Sequence, residues 1–285
     1  MKVFITGASS GIGAALATEY AKRHPGAGTF IGLASRRSEC LHELRTILEK
    51  NYQIKCAVYS LDVRDSVALN NAAADFIQQF GSPDVVIASA GVSRGTLTEF
   101  AEDHAAFQAV IDINLLGMVH TFQPFISAMR QNPNQKLRGQ LVGIASVAGI
   151  RGLPGAGAYS ASKAAVIAYL ESLRVEMAAS KIAVTTIAPG YIRTPMTDVN
   201  QYKMPFLLDA DVAAAKFVNA IEHKRRFVVI PWQMGWIARL MWFIPPVLWD
   251  FVMKKAPLLG LVIETYSHSL TCGYRFLLTT NWFIT

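Results

Sequence analysis

Two side chains four residues apart, Tyr159 and Lys163, could move a proton together. They begin an apolar run with helical spacing, and residues four apart lie on the same face of a helix. A phenol with a pKa of ~10 can exchange protons readily at neutral pH if its phenolate is favoured by roughly 4 kcal/mol. One ammonium ~4 Å away in an effective dielectric of ~20 supplies about that much. The spacing indicates a general acid/base, although the same pair also arises by chance on surface helices.

A glycine-rich turn near the start of the chain could hold a phosphate. The apolar run at residues 3–5 is followed by TGASSGIG, residues 6–13, and then by apolar residues at helical spacing. Gly7 suits a tight turn, Gly11 lets the backbone approach a pyrophosphate, and Gly13 lets the helix pack closely on the strand. The amino-terminal end of that helix offers free N–H groups to the anion. The pattern therefore predicts a dinucleotide site.

Two arginines follow the predicted second strand, residues 29–34. An acidic side chain at this point would accept the ribose 2′-hydroxyl of NAD, whereas Arg36 and Arg37 favour a 2′-phosphate. A charge-assisted hydrogen bond contributes ~1.5–3 kcal/mol, so one arginine biases the choice toward NADP by roughly ten- to a hundredfold. The plain alternative is two solvated arginines at the end of a strand.

Strand and helix patterns alternate along the chain. Further strands are predicted at 54–61, 84–88, 139–145, 183–188 and 227–230, and helices at 40–48, 67–80, 104–130 and 210–222, the last with Asp209 as its N-cap. This alternation predicts one α/β domain with a doubly wound parallel sheet. Residues 191–208 have no regular pattern and are expected to form a substrate lid.

Polar residues interrupt this apolar pattern at two points of interest. Ser146 follows the strand at 139–145, and open α/β sheets bind their ligands at the carboxyl ends of the strands. Asn114 stands in the apolar stretch of the helix at 104–130, where a buried amide needs partners. The sequence leaves open whether Asn114 has a structural role or belongs to a polar site.

Composition limits the classes of partner. The chain has 285 residues, of which 52% are hydrophobic and 16% charged, with a net charge of +7. That charge permits an anionic ligand or an anionic membrane, but the chain has no interleaved basic and aromatic patch, so nucleic acid is not expected. The cysteines and histidines are scattered, and no metal site is expected. Because the chain enters a strand at once, we expect no signal peptide and a cytoplasmic location.

In this order and at this spacing, the TGxxxGxG turn and the YxxxK pair resemble those of the short-chain dehydrogenase/reductase family. The resemblance extends over residues 2–230. It implies a Rossmann-like doubly wound sheet of about seven parallel strands with helices on both faces. It also implies an oxidoreductase that transfers a hydride between NADP(H), preferred over NAD(H), and a carbonyl or secondary alcohol.

The resemblance also implies a role for individual residues. Tyr159 would be the catalytic acid/base, Lys163 would bind the nicotinamide ribose and lower the phenol pKa, and Ser146 would orient the substrate oxygen. Asn114 would hold a water in the proton relay. The same comparison implies cofactor contacts from Gly7, Ser9, Ser10, Gly11, Ile12, Gly13, Arg36, Asp62, Val63, Ala90, Gly91, Tyr159, Lys163, Pro189, Gly190, Ile192 and Thr194. Among these, Asp62 would contact adenine and Arg36 marks NADP preference.

The chain departs from the family pattern after the fourth strand. The family has two asparagines before Ala-Gly, and this sequence has Ala88 and Ser89. We expect weaker local order there rather than loss of cofactor binding.

The residues after 231 change in character. All five tryptophans lie between 232 and 285, and residues 240–249 carry no charge. A spanning helix needs ~20 apolar residues, and this run is shorter and contains two prolines. Residues 232–256 therefore suit contact with a membrane surface, or equally a dimer interface or a cover over the pocket. We divide the chain into a catalytic domain, 1–231, and an apolar extension, 232–285, with no role assigned to 257–285.

The leading hypothesis is an NADP(H)-dependent carbonyl reductase or alcohol dehydrogenase for a small lipophilic substrate. By the resemblance it would be a dimer or tetramer. From composition and the apolar extension we expect a cytoplasmic protein that associates with the inner face of a membrane. The alternative is a catalytically silent dinucleotide-binding sensor or membrane-associated scaffold. A third reading is an epimerase or dehydratase built on the same scaffold.

Overall fold

A computed structural model describes residues 1–133, 137–198 and 203–254 of the protein. Its strands are β1 Lys2–Thr6, β2 Phe30–Ser35, β3 Lys55–Ser60, β4 Val85–Ala88, β5 Gly139–Ile144, β6 Ile182–Pro189, β7 Ile192–Arg193, β8 Leu208–Asp209 and β9 Phe227–Ile230. Seven of them form one sheet in the order β3-β2-β1-β4-β5-β6-β9, with every neighbouring pair parallel. β7 and β8 pair with each other separately.

Helices cover both faces of the sheet. They are α1 Gly11–Arg23, α2 Ser38–Tyr52, α3 Ser66–Phe80, α4 His104–Ile111, α5 Gly117–Arg130, α6 Gly157–Glu176, α7 Ala210–Glu222, α8 Trp232–Phe243 and α9 Pro246–Met253. Buried side chains of α1, α2 and α7 belong to one hydrophobic cluster, and those of α3, α5 and α6 belong to the other. The prediction of a doubly wound parallel sheet of about seven strands is confirmed.

The apolar strands follow from this double cover, because a parallel sheet buried on both faces needs hydrophobic residues in succession. In β1, Val3 and Ile5 pack into one cluster, while Phe4 points to the other face. The Phe4 ring centroid lies 5.6 Å from that of Phe76 and 4.8 Å from that of Phe125. This packing buries β1 on both faces of the sheet.

The strand order reverses between β1 and β4. In open α/β sheets this switch point leaves a crevice at the carboxyl ends of the strands. The turn after β1, the segment after β4 and the segment after β5 all meet there.

The helix predicted at 104–130 is interrupted by one turn of a different kind. Residues Asp112–Leu116 form a π-helical turn between α4 and α5, and Asn114 lies inside it. Within the described residues, Ala101–Arg130 is also the segment with the length and hydropathy to span a bilayer. It packs against α3 and α6 here, as a core helix does.

The N-cap expected at Asp209 is only partly formed. Asp209 occupies the N-cap position of α7, but its carboxylate makes no capping hydrogen bond. Its Oδ1 lies 3.3 Å from the Arg193 guanidinium instead, because pairing of β7 with β8 brings the two side chains together.

The C-terminal helices differ in how they contact the sheet. Met234 and Ala238 are the buried residues of α8, and this helix packs on β9. α9 has no buried residue. The domain boundary at 231 stays a prediction.

Candidate active site

The glycine-rich turn brings backbone close to the crevice. Gly7 has a φ of +72°, and a Cβ there would lie 2.7 Å from the Ala90 amide nitrogen. A Cβ on Gly13 would collide with the Gly7 carbonyl, so both positions require glycine. The Ser10 side chain makes no capping bond to α1. The close approach of the backbone and the first-turn N–H groups, which have no partner within the helix, fit the pyrophosphate of a dinucleotide.

Arg37, rather than Arg36, lies on this turn. The Arg37 guanidinium donates to Ser9 Oγ at 3.0 Å and to Ser10 Oγ at 2.6 Å. Arg36 is exposed, and its Nη1 lies 3.9 Å from an Asp62 carboxylate oxygen. Both cations therefore lie at the carboxyl end of β2, where the sequence predicted them, but they have different partners.

Asp62 is held by another arginine. Both of its carboxylate oxygens accept hydrogen bonds from the Arg64 guanidinium, the shortest at 2.7 Å. These bonds keep the pKa of the Asp62 carboxyl below its usual value. The neighbouring Val63 is buried, and its carbonyl lies 3.1 Å from His120 Nδ1. Contact of Asp62 and Val63 with adenine stays a prediction.

Ser146, Tyr159 and Lys163 converge at the end of β5. Ser146 is the N-cap of a short 3₁₀ turn, Val147–Gly149, and its Oγ accepts a hydrogen bond from the Ala148 amide. The Tyr159 phenol lies close enough to Ser146 for that hydroxyl to lower its pKa. Lys163 is buried, and its ammonium donates to the Ile144 carbonyl at 2.8 Å. The helical spacing of four residues does place the phenol and the ammonium in one site.

The protonation of this pair differs from the sequence-based expectation. Burial raises the pKa of the Tyr159 phenol, and its hydrogen bond with Ser146 opposes that rise. Burial lowers the pKa of the Lys163 amine to about 8. The Lys163 nitrogen lies 5.7 Å from the Tyr159 ring centroid and bonds the Ile144 carbonyl. The expectation that the ammonium makes this phenol acidic is therefore wrong for these residues, because desolvation dominates.

Asn114 is fully buried and uses its amide in structural hydrogen bonds. Its Oδ1 accepts from the Val92 amide at 2.8 Å, and its Nδ2 donates to the Val92 carbonyl and to Ser162 Oγ, both at 2.9 Å. Ser162 in turn donates to the Tyr159 carbonyl at 2.8 Å. The π turn thus connects the segment after β4 with the first turn of α6. A water held by Asn114 stays a prediction.

Sequence reasoning missed Ser162. It is a small polar residue on the buried face of an apolar helix, next in the chain to Lys163. That position was the available signal. A buried hydroxyl requires a hydrogen-bond partner, and the sequence offered no evident partner for Asn114 either.

The remaining predicted cofactor residues lie around the same crevice. A Cβ on Gly91 would lie 3.2 Å from Asn114 Oδ1 and 3.6 Å from Lys163 Nζ. A Cβ on Gly11 would lie 3.2 Å from Thr194 Cγ2, so the segment after β6 reaches the glycine-rich turn. Pro189 ends β6, the Gly190 amide bonds the Ile230 carbonyl at 2.8 Å, and Ile192 is buried in β7. In the described part of the chain no cluster of three or more metal-ligating side chains is present.

Comparison with known proteins agrees with this geometry. The family model described as short chain dehydrogenase matches residues 1–204. An uncharacterized oxidoreductase of Mycobacterium tuberculosis is 37% identical over 249 residues, which cover 86% of this chain and 94% of that protein. The 11-beta-hydroxysteroid dehydrogenase 1A of Arabidopsis thaliana is 31% identical over 270 residues, covering 89% of this chain and 72% of that protein.

Solved structures share the fold. An alcohol dehydrogenase from the archaeon Thermococcus sibiricus, complexed with 5-hydroxy-NADP, has a TM-score of 0.70 at 24% identity and covers 80% of this chain and 95% of its own. L-sorbose reductase from Gluconobacter frateurii, complexed with NADPH and L-sorbose, has a TM-score of 0.67 at 23% identity, covering 77% and 88%. With the family model matching well over half of its length, the chain belongs to the short-chain dehydrogenases, a family of oxidoreductases.

Proposed function

We propose that the protein is an NADP(H)-dependent oxidoreductase that interconverts a carbonyl and a secondary alcohol. The observation that carries this proposal is the convergence of Ser146, Tyr159 and Lys163 at the end of β5. When bound, the nicotinamide supplies or accepts the hydride. The chain itself has to orient the substrate oxygen and move its proton.

The hydrogen bonds suggest how this happens. Ser146 Oγ accepts from the Ala148 amide, which fixes the hydroxyl at the end of β5, and its O–H would turn from Tyr159 to donate to the substrate oxygen. Burial keeps the Tyr159 phenol protonated at neutral pH, because it raises the pKa. A protonated phenol beside a carbonyl oxygen suits reduction, the direction in which that oxygen gains a proton. Lys163, tied to Ile144, holds α6 in place and would contact the cofactor ribose.

The preference for NADP(H) is supported by the two cations after β2. The Arg36 side chain is 54% exposed, so it can turn toward a 2′-phosphate, while Arg37 already lies on the turn that receives the dinucleotide. A phosphate and a guanidinium form bidentate, charge-assisted hydrogen bonds. Neither position offers a carboxylate for the 2′-hydroxyl of NAD(H).

We also propose a lipophilic substrate and peripheral contact with a membrane. The support is the apolar outer face of α8 and α9, where Trp236 is 63% exposed and Phe243 81% exposed. The steroid dehydrogenase among the relatives acts, by its name, on a lipophilic compound. The protein would work in the cytoplasm, as a dimer or tetramer, with residues 1–231 as its catalytic part and residues 232–256 at the inner face of a membrane.

A substrate screen tests the activity directly. Purified protein is mixed with NADPH and a panel of aldehydes and ketones of increasing chain length, and cofactor oxidation is followed by absorbance. Proton transfer by a positioned side chain contributes ~10²–10⁴-fold, so Tyr159→Phe should lower turnover by at least about a hundredfold. Tyr169→Phe, on the same helix but away from the crevice, is the matched control. Cofactor binding without oxidation across the panel would favour a silent sensor, and wild-type turnover in Tyr159→Phe would refute the mechanism.

A further inference from the structure

A second cavity lies outside the candidate active site. Its volume is about 1230 Å³, and it lies between α9, residues 149–154 and the outward face of α6. Ser160, Ala161 and Ala164 line it from α6, whereas Tyr159 and Lys163 do not. Gly149 packs on the backbone of Lys163, so the loop that carries Ser146 separates the two sites. The side chains of Ser146, Tyr159 and Lys163 therefore do not form part of this cavity.

The walls of this cavity are apolar and its edge is basic. Its large apolar side chains are Ile150, Leu153, Pro154, Trp249, Phe251 and Met253. Arg151 and Lys254 also line it, against one acid, Asp250. The Arg151 guanidinium carbon lies 4.9 Å from the Trp249 ring centroid, which holds this cation at the cavity. Across residues 1–133, 137–198 and 203–254, neither cation forms an ion pair. An amphiphile with an anionic head matches this distribution of charge.

The cavity adjoins the exposed apolar face of α9. Phe251 lines the cavity and is 71% exposed. Val247, one turn earlier on α9, is 82% exposed. Large exposed apolar patches mark protein or membrane contacts. Aromatic side chains beside basic ones are typical of segments that lie at a lipid interface.

We propose that this cavity binds an anionic diacyl phospholipid from the membrane. The acyl chains would lie against Leu153, Trp249 and Met253, and the phosphate would lie against Arg151 and Lys254. Small-molecule sites enclose ~300–1,000 Å³, so a volume of about 1230 Å³ leaves room for a lipid with two chains. This proposal rests on the membrane contact proposed above, because the membrane would supply the lipid. It does not depend on the reductase activity.

A soluble short-chain lipid tests the proposal on the full-length protein. Binding of dihexanoyl phosphatidylglycerol, below the concentration at which it forms micelles, is measured by titration calorimetry without cofactor or carbonyl substrate. Ala161→Trp fills the cavity and should weaken binding at least about tenfold. Ala168→Trp, two turns further along the same helix and outside the cavity, should bind as the wild type does. Arg151→Gln should reduce the preference for this lipid over dihexanoyl phosphatidylcholine about tenfold, because a charge-assisted contact is lost.

Three results would overturn the proposal. Equal affinity in Ala161→Trp and Ala168→Trp would place the lipid elsewhere. Binding to phosphatidylglycerol vesicles without binding of the soluble lipid would restrict the contact to the surface of α8 and α9. A dimer in sedimentation velocity that Ala161→Trp alone converts to monomer would identify a second copy of the chain as the occupant. These experiments measure binding and not turnover, so their results do not bear on the reductase proposal. If the carbonyl screen fails, the lipid-binding results still test the lipid proposal.

Discussion

The Lys163 ammonium lies 2.8 Å from the main-chain carbonyl oxygen of Ile144, and this contact joins α6 to the last residue of β5. The amine is 5% exposed, and burial lowers its pKa from 10.5 to about 8. Between these two values the unfolded chain binds more protons than the folded chain. Raising the pH through this window therefore stabilises the folded protein at this residue.

We predict that this stabilisation disappears in Lys163→Met. The difference in unfolding free energy between wild type and variant should be constant below pH 8. Above pH 8 the unfolding free energy of the wild type should rise relative to that of the variant by roughly 1 kcal/mol per pH unit. Urea unfolding between pH 7 and 9.5 measures it, with Lys216→Met, at an exposed position of α7, as the control. A difference that does not vary with pH would mean that the lysine is not desolvated.

A second prediction concerns the amide of Asn114. Asn114→Ala removes the hydrogen bonds to both Val92 backbone groups and to Ser162 Oγ, which keeps its bond to the Tyr159 carbonyl, and a buried polar group left unpaired costs about 1–3 kcal/mol. Ser162→Ala breaks the same network from the other side. Because the two side chains share a hydrogen bond, the double variant should show a coupling of about 0.5–3 kcal/mol in a double-mutant cycle. Strictly additive losses would show that the bond contributes nothing.

A third prediction separates the two arginines. Arg36→Ala should lower the affinity ratio of NADPH to NADH by roughly ten- to a hundredfold, because we propose that its exposed guanidinium binds the 2′-phosphate. Arg37→Ala removes bonds to Ser9 and Ser10 and should weaken both cofactors together. Fluorescence titration with each cofactor gives the four affinities. If the ratio changes only in Arg37→Ala, selection resides on the turn and not on Arg36.

A fourth prediction concerns membrane contact. Trp236 and Leu240 lie on the outward side of α8, 63% and 66% exposed. Burying one such side chain in lipid contributes ~1.5–3 kcal/mol, so each change to serine should weaken vesicle binding about tenfold or more. Cosedimentation with phosphatidylglycerol vesicles is the measurement. Val175→Ser on α6 removes an equally exposed apolar side chain elsewhere and is the control. Equal losses in all three variants would argue against a defined membrane face.

Strand positions could be predicted well from the sequence. The run at 227–230 coincides with β9, and the predicted strand at 139–145 extends one residue beyond β5. Short β-branched and aliphatic runs bounded by turn residues leave little choice in a sheet buried on both faces. The same reasoning placed Ser146 at the carboxyl edge.

Side-chain partners could not be predicted in the same way. Arg36 and Arg37 are adjacent and chemically identical, so the sequence does not distinguish their partners. The path of the backbone after β2 decides which of them donates to Ser10. The π turn around Asn114 leaves the apolar pattern of the helix almost unchanged, so periodicity does not reveal it. The raised pKa of Tyr159 could not be predicted from its spacing to Lys163, because an estimate from that pair alone omits desolvation.

The pairing of Ile192 with Leu208 has a consequence for engineering this protein. The same two-residue ladder joins the two ends of the segment between them. Thr194, near one end, lies next to Gly11 of the glycine-rich turn. Substitutions in the described parts of this segment, residues 194–198 and 203–207, should therefore not disturb the main sheet. New substrate preferences should be sought there, while the ladder is kept intact.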